Sequence, residues 1–209
     1  SLITPFTIVD VNMDTGEWDV KKEEVIHGLD KKNYVMERIH ATAPDGTQVP
    51  LSIAYRKDLQ KKDGTNPALM YGYGSYGATI DPYFDSNRFS LIDRGFVYAI
   101  AHIRGGYDMG REWYEKGKME FKRNSFTDFI ACGEHLIKEG YVAKDKLAIQ
   151  GGSAGGLLVG ACMTMRPDLF KAVIAKAPFM DVVTTMEDAS IPLTTQEYDQ
   201  WGNPEDKAM

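Results

Sequence analysis

Long apolar runs, an excess of basic residues, cysteine clusters and low-complexity tracts are all missing from this 209-residue chain. Each absence removes a class of function. No stretch approaches the ~18 consecutive apolar residues of a membrane helix, and no basic-then-apolar leader stands at the start, so no membrane partner is expected. The chain begins at Ser1 rather than methionine, which leaves room for an upstream segment. A formal charge of −6, from 24 basic against 30 acidic residues, argues against nucleic acid as a partner. The two cysteines, Cys132 and Cys162, sit among apolar neighbours in helical patterns, which points to reduced, buried thiols and a cytoplasmic protein. With no C-x-x-C pair and no His/Cys cluster, neither a metal nor a cofactor is expected. Histidine is scarce too: His27, His40, His102 and His135 are the whole set. What remains, 43% hydrophobic and 26% charged, is ordinary for a folded globular protein.

Two rhythms divide the chain. Residues 1 to about 30 read as a β-hairpin, with Phe6, Ile8, Val9 and Val11 before the turn Asp14 to Glu17 and Trp18 and Val20 after it. A second hairpin turns at Pro44-Asp45-Gly46, and strict alternation of Val49, Leu51, Ile53 and Tyr55 predicts a return strand with one buried face. The polar run Gln60 to Asn66 is a loop. From there strands alternate with helices, the pattern of a mostly parallel sheet covered on both faces. The strands are Ala68 to Tyr73, Gly95 to Ile103, Leu147 to Gln150 and Ala172 to Ala175. A helix is expected from Ser125, with Asp128 completing an imperfect capping box, to a stop at Gly140. A second helix spans Ala154 to Met165. No internal repeat is present.

Gly151-Gly152-Ser153-Ala154-Gly155 lies where strand Leu147 to Gln150 meets that second helix. Strand, glycine-flanked serine and helix, in that order, form the G-x-S-x-G nucleophile elbow of an α/β-hydrolase fold. A serine on so sharp a turn crowds its neighbours, so positions two before and two after it must be glycine-like. The helix that follows aims N–H groups and its positive dipole end at the same point, where an oxyanion would develop. A serine needs a base, and this fold supplies nucleophile, acid and histidine in that chain order. No histidine follows Ser153. His135 reads as a surface residue, His102 as a hydrogen-bonded core residue and Asp181 as an ordinary strand-end carboxylate. The expectation is an α/β-hydrolase fold truncated at its C-terminal side, or one that has lost its chemistry.

Tyr71-Gly-Tyr-Gly-Ser-Tyr-Gly77, Arg104-Gly-Gly106, Gly151 to Gly156, Arg166-Pro-Asp-Leu-Phe170 and the tail Pro192 to Pro204 together resemble the catalytic domain of the prolyl oligopeptidase family of serine peptidases, in particular its oligopeptidase B branch. The resemblance implies a hydrolase domain over residues 31–209, incomplete at its end, and residues 1–30 as a remnant of the last blade of a β-propeller that would otherwise lie upstream. It also implies Ser153 as the acylating nucleophile, with the Ala154 N–H and the Tyr73 phenol as oxyanion donors. Glu197, and less directly Asp199, would bind an arginine or lysine side chain in the specificity pocket, with Tyr76 packed on its aliphatic stem. A guanidinium leaving water needs such a charge-assisted partner. The family's Asp and His would lie beyond Met209, so the isolated chain is expected to be inactive. Short peptides containing basic residues are the expected partners. Three other readings stay open at this point: a post-proline oligopeptidase, an esterase or lipase with YGYGSYG in place of the usual HGGG oxyanion loop, and a non-catalytic module on a hydrolase fold.

Overall fold

The structure, a computed structural model, describes residues 1–206. Strands β1 (Thr7–Val11) and β2 (Trp18–Glu23) pair antiparallel in a two-stranded sheet of their own, as the first hairpin pattern requires. The main sheet holds β3 (Tyr34–Thr42), β4 (Gln48–Arg56), β5 (Ala68–Tyr71), β6 (Val97–Ala101), β7 (Leu147–Gly152) and β8 (Ala172–Lys176), in the order β3-β4-β6-β5-β7-β8. β3 pairs antiparallel with β4 and β4 antiparallel with β6, whereas β6, β5, β7 and β8 are mutually parallel. This is the mostly parallel sheet of an α/β-hydrolase.

Both faces of the sheet are covered, and strand periodicity sorts the side chains between them. Val97, Ala99, Met70 and Ile149 pack into one core with Phe129 and Leu136 of α3 (Arg123–Lys138) and Leu158 and Val159 of α4 (Ala154–Met165). Tyr98, Ile100 and Leu69 face the opposite way, onto Phe89 and Ile92 of the short helix α1 (Phe89–Ile92). The remaining helices are one or two turns long: α2 (Arg111–Glu115), α5 (Val182–Glu187) and α6 (Tyr198–Trp201). Strand β8 closes the described sheet as a largely exposed edge.

Two local expectations are corrected. The alternation in β4 implied one buried face, yet Pro50, Ser52 and Ala54 are buried as well. Ala54 packs with Leu2, Phe89 and Ile92 in the second core and Ser52 bonds to His102, so the second face of β4 is covered by residues distant in sequence. Ser125 and Asp128 do not cap α3, which starts two residues earlier at Arg123. Both are fully buried instead: the Ser125 hydroxyl donates to the Arg104 carbonyl at 2.6 Å, and Asp128 grips the Arg104 guanidinium through Nε at 2.8 Å and Nη2 at 2.6 Å. Gly140 ends the helix with φ of 75°, as expected.

The topology also selects a position for a site. The chain runs from β5 to β6 on one side, then crosses back past β5 to β7 on the other. The strand order therefore reverses at β5. Open parallel sheets bind ligands outside the carboxyl ends of the strands at such a switch point. Tyr73 leaves the end of β5 and Ser153 the end of β7, with Tyr71 and Gln150 in register between the two strands.

Candidate active site

Ser153 stands exposed between β7 and α4 with φ 54° and ψ −120°, a backbone region that costs a non-glycine residue about 1–3 kcal/mol. Neighbouring contacts hold it there. Its N–H donates to the Lys176 carbonyl at 3.0 Å, and its own carbonyl accepts from Gly156 N–H at 2.8 Å and Phe179 N–H at 2.9 Å. The glycine requirement is visible atom by atom. A Cβ on Gly151 would lie 1.9 Å from the Gly155 carbonyl oxygen, one on Gly155 2.8 Å from the Gly72 oxygen, and one on Gly156 2.4 Å from the Pro178 ring. Ala154, buried, opens α4, where the first N–H groups of a helix have no intrahelical acceptor.

Tyr73 is half-buried beside Ser153. Burial pushes its phenol pKa up; the Ser153 side chain pulls it down, and the Glu197 charge adds to the rise. The net direction is upward, so the phenol keeps its proton at neutral pH and remains a donor. A neutral phenol near Ser153 and a helix N-terminus that starts at the next residue are the kinds of group that can stabilise an oxyanion.

A cavity of about 220 Å³ opens from Ser153, lined by Tyr76, Phe179, Met186, Thr194 and Glu197 among others. Its polar end is built by three side chains. The Tyr76 hydroxyl donates to Glu197 Oε2 at 2.6 Å, and Trp201 Nε1 lies 3.0 Å from both that carboxylate oxygen and the Tyr76 hydroxyl. Burial and the Glu197 carboxylate both raise the Tyr76 pKa, with Trp201 opposing them, so this phenol too stays protonated. Both of these bonds land on Oε2; among the described residues Oε1 has no partner and is available to a cation. The rings of Phe179 and Trp201 meet edge-on at 5.3 Å, and those of Tyr76 and Trp201 at 5.7 Å, so Trp201 packs against both aromatic residues that line the cavity.

Asp199 is not part of this pocket. It is exposed on the first turn of α6, and its charge acts on Lys118. Asp181 accepts from Thr184 N–H at 3.2 Å and caps α5. None of the four histidines hydrogen-bonds Ser153. His27 and His40 are exposed and His135 is half-buried rather than freely solvated. His102 is the core residue its strand implied, but its partners form an unexpected set: Nδ1 lies 2.8 Å from Asp108 Oδ1 and Nε2 2.8 Å from Ser52 Oγ. This Ser-His-Asp chain has triad-like distances, yet Ser52 and His102 are 0% and 2% exposed, so no substrate reaches them. It ties β4, β6 and the loop after β6 together.

Residues 82–209 match the model of the prolyl oligopeptidase family. The chain belongs to that family. It is 54% identical over 208 residues to dipeptidyl aminopeptidase BI of Pseudoxanthomonas mexicana, covering 99% of this chain and 29% of the relative. It is 48% identical over 205 residues to Protease 2 of Moraxella lacunata, covering 98% and 30%. Among solved structures, oligopeptidase B from Trypanosoma brucei with covalently bound antipain, in its closed form, superposes with a TM-score of 0.91 at 53% identity, covering 99% of this chain and 29% of that one. The chain thus spans less than a third of the length of the family members it matches.

Sequence reasoning missed several groups at this site. Phe179, Met186 and Thr194 line the cavity, Gln200 Oε1 accepts the Tyr76 N–H at 3.0 Å, and Lys122 donates to the loop between the two tyrosines. Trp201 stood in the tail that carried the family likeness, but nothing local marked it as a partner of Tyr76, 125 residues away.

Proposed function

We propose that this chain carries the acylating half of a serine oligopeptidase that cleaves short peptides after arginine or lysine. The observation that carries the reading is that one cavity is lined by both Ser153 and Glu197. A substrate's basic side chain enters this cavity with its stem along Tyr76 and its charge on Glu197, which sets the scissile carbonyl against the Ser153 oxygen. Attack places the negative charge between the Tyr73 phenol and the Ala154 N–H. The intermediate then collapses to an acyl-enzyme, the amine leaves with a proton, and water releases the acid. The reading requires a histidine base that none of this chain's four histidines brings to Ser153. The full-length gene product has to supply it, together with the carboxylate that orients it and, on the family likeness, the propeller that admits short peptides only.

A carboxylate at the pocket end favours a basic residue over proline, which needs only apolar walls. The test is cleavage of matched Arg, Lys, Pro and Phe peptides, and of a small neutral ester, by the full-length protein and its Glu197→Gln variant. The variant should lose about ten- to a hundredfold in kcat/KM on Arg peptides, the worth of a charged hydrogen bond, and keep its rate on the ester. Equal losses on both would contradict the pocket assignment. The strong likeness to a dipeptidyl aminopeptidase favours a second reading of the mode of attack, release of dipeptides from a free N-terminus. Comparing N-blocked with free-amine substrates of one sequence separates it from internal cleavage.

A further inference from the structure

Lys122 is a partly buried cation in the neighbourhood of the site. It sits at the junction of a short 3₁₀ turn (Met119–Phe121) and α3, and among the described residues it forms no ion pair. Its Nζ donates to the Gly74 carbonyl, to Ser75 Oγ at 2.8 Å and to Ser125 Oγ at 3.2 Å, and lies 5.4 Å from the centre of the Trp201 ring and 6.0 Å from that of Phe126. Burial pushes the amine's pKa down to about 7, while oxygen acceptors and ring faces favour the charged form. A lone ammonium withdrawn from water without a counter-ion is destabilising, and rules of this kind are broken mainly where function requires it.

The place of those contacts is the second observation. Gly74 and Ser75 are the two residues between Tyr73, beside the serine, and Tyr76, against Glu197. This loop needs restraint, because Tyr76 has φ 58°, a region that a non-glycine residue enters at a cost. Its far side is held by Gln200 Oε1 on the Tyr76 N–H and by the Gly105 carbonyl on the Gly77 N–H, both at 3.0 Å. In the middle, the Ser125 hydroxyl lies 3.3 Å from the Gly74 carbonyl and the Ala78 N–H donates to the Ser75 carbonyl at 3.0 Å, but among the described residues Lys122 is the charged donor that reaches both Gly74 and Ser75. Lys122 also packs behind the Trp201 ring, whose Nε1 reaches Tyr76 and Glu197.

We propose that Lys122 is a positioning residue: its ammonium pins the Gly74-Ser75 segment and thereby sets the Tyr73 phenol toward Ser153 and the Tyr76 phenol toward Glu197 at the same time. The inference rests on the peptidase reading for its catalytic consequence, but not for its structural one. One cation couples the oxyanion donor to the specificity pocket, so its loss alters turnover and side-chain selectivity together.

The test uses Lys122→Met in the full-length protein, which keeps the stem and removes the charge, with Ser75→Ala as a milder variant lacking one acceptor. Hydrogen exchange is followed for the peptide covering 72–77 and for the α3 interior as control. Faster exchange in 72–77 alone is expected for both variants. Unchanged exchange there, with either variant folded, overturns the proposal whether or not the protein cleaves peptides. On Arg and Phe peptides, Lys122→Met should lower kcat on both by about tenfold or more and narrow the Arg preference severalfold, the loss of a charge-assisted bond being worth about that much. A general packing defect would lower the melting temperature without narrowing the preference, and that outcome also overturns the proposal. A wild-type protein inactive on every peptide would count against the peptidase reading, with the exchange result still deciding the role of Lys122.

Discussion

Tyr73→Phe removes one oxygen atom, the donor that the proposed mechanism assigns to the oxyanion. The phenol is half-buried, and the polar groups acting on it are the Ser153 side chain and the charge of Glu197. The ring stays packed in the variant, 6.4 Å from that of Tyr76, so folding stability should change little. The cost falls on the transition state. Removing one oxyanion donor typically costs about 2.7–4 kcal/mol, and each 1.36 kcal/mol is tenfold in rate, so kcat should fall by about 10²–10³ with KM nearly unchanged. Because burial holds the phenol pKa above its ordinary value, the donor stays protonated across the neutral range, and the loss should be uniform in pH there. The assay is steady-state hydrolysis of an Arg amide by the full-length protein, with thermal unfolding as control. A kcat within about threefold of wild type, at unchanged stability, would refute the assignment of this phenol to the oxyanion.

The elbow makes a steric prediction: Gly151→Ala should lower the unfolding free energy by the few kcal/mol typical of severe overpacking, read as a lower denaturant midpoint, since its Cβ meets backbone at 1.9 Å; an unchanged midpoint would contradict the turn geometry. Asp199→Asn should leave Arg selectivity intact, and a loss comparable with that of Glu197→Gln would place Asp199 in the pocket after all. Ser52→Ala should leave acylation untouched while destabilising the fold by about 1–3 kcal/mol, because the buried His102 loses a hydrogen-bond partner; measured rates and unfolding curves separate the two. For acid stability, burial raises the Asp45 pKa but the Arg104 guanidinium and the Thr47 donors outweigh it, holding the group at about 2. Stability from this depressed carboxylate is present above about pH 4 and lost as pH falls through about 2. Asp45→Asn should flatten that limb of an acid-unfolding curve, and an unaltered limb would count against the pairing.

How far the site was legible in the sequence depended on the range of the forces involved. The elbow could be read because part of its chemistry is local: a Cβ on Gly151 would collide with Gly155 four residues on, so sequence spacing carries that constraint directly, although Gly155 itself is crowded by the distant Gly72. The parallel sheet was legible from buried runs such as Val97 to Ala101, which only a doubly covered strand tolerates. Ser125 and Asp128 were misread because a capping-box spacing is identical to that of two residues gripping a distant arginine; only burial separates them. Glu197 and Asp199 look alike in sequence, yet a short helix turns one into the cavity and the other to solvent. Lys122, Gln200 and Trp201 reach residues 47 to 125 positions away, and no local pattern announces such contacts.

The central claim is that Ser153 is the acylating residue of a strained turn supported by Tyr73 and Ala154. Fluorophosphonate labelling of the full-length protein, mapped by peptide mass spectrometry, tests it most directly. A single adduct on Ser153, abolished in Ser153→Ala and weak in the 209-residue chain, is the expected result. Labelling of another serine, or none at Ser153 in a protein that hydrolyses peptides, would contradict it.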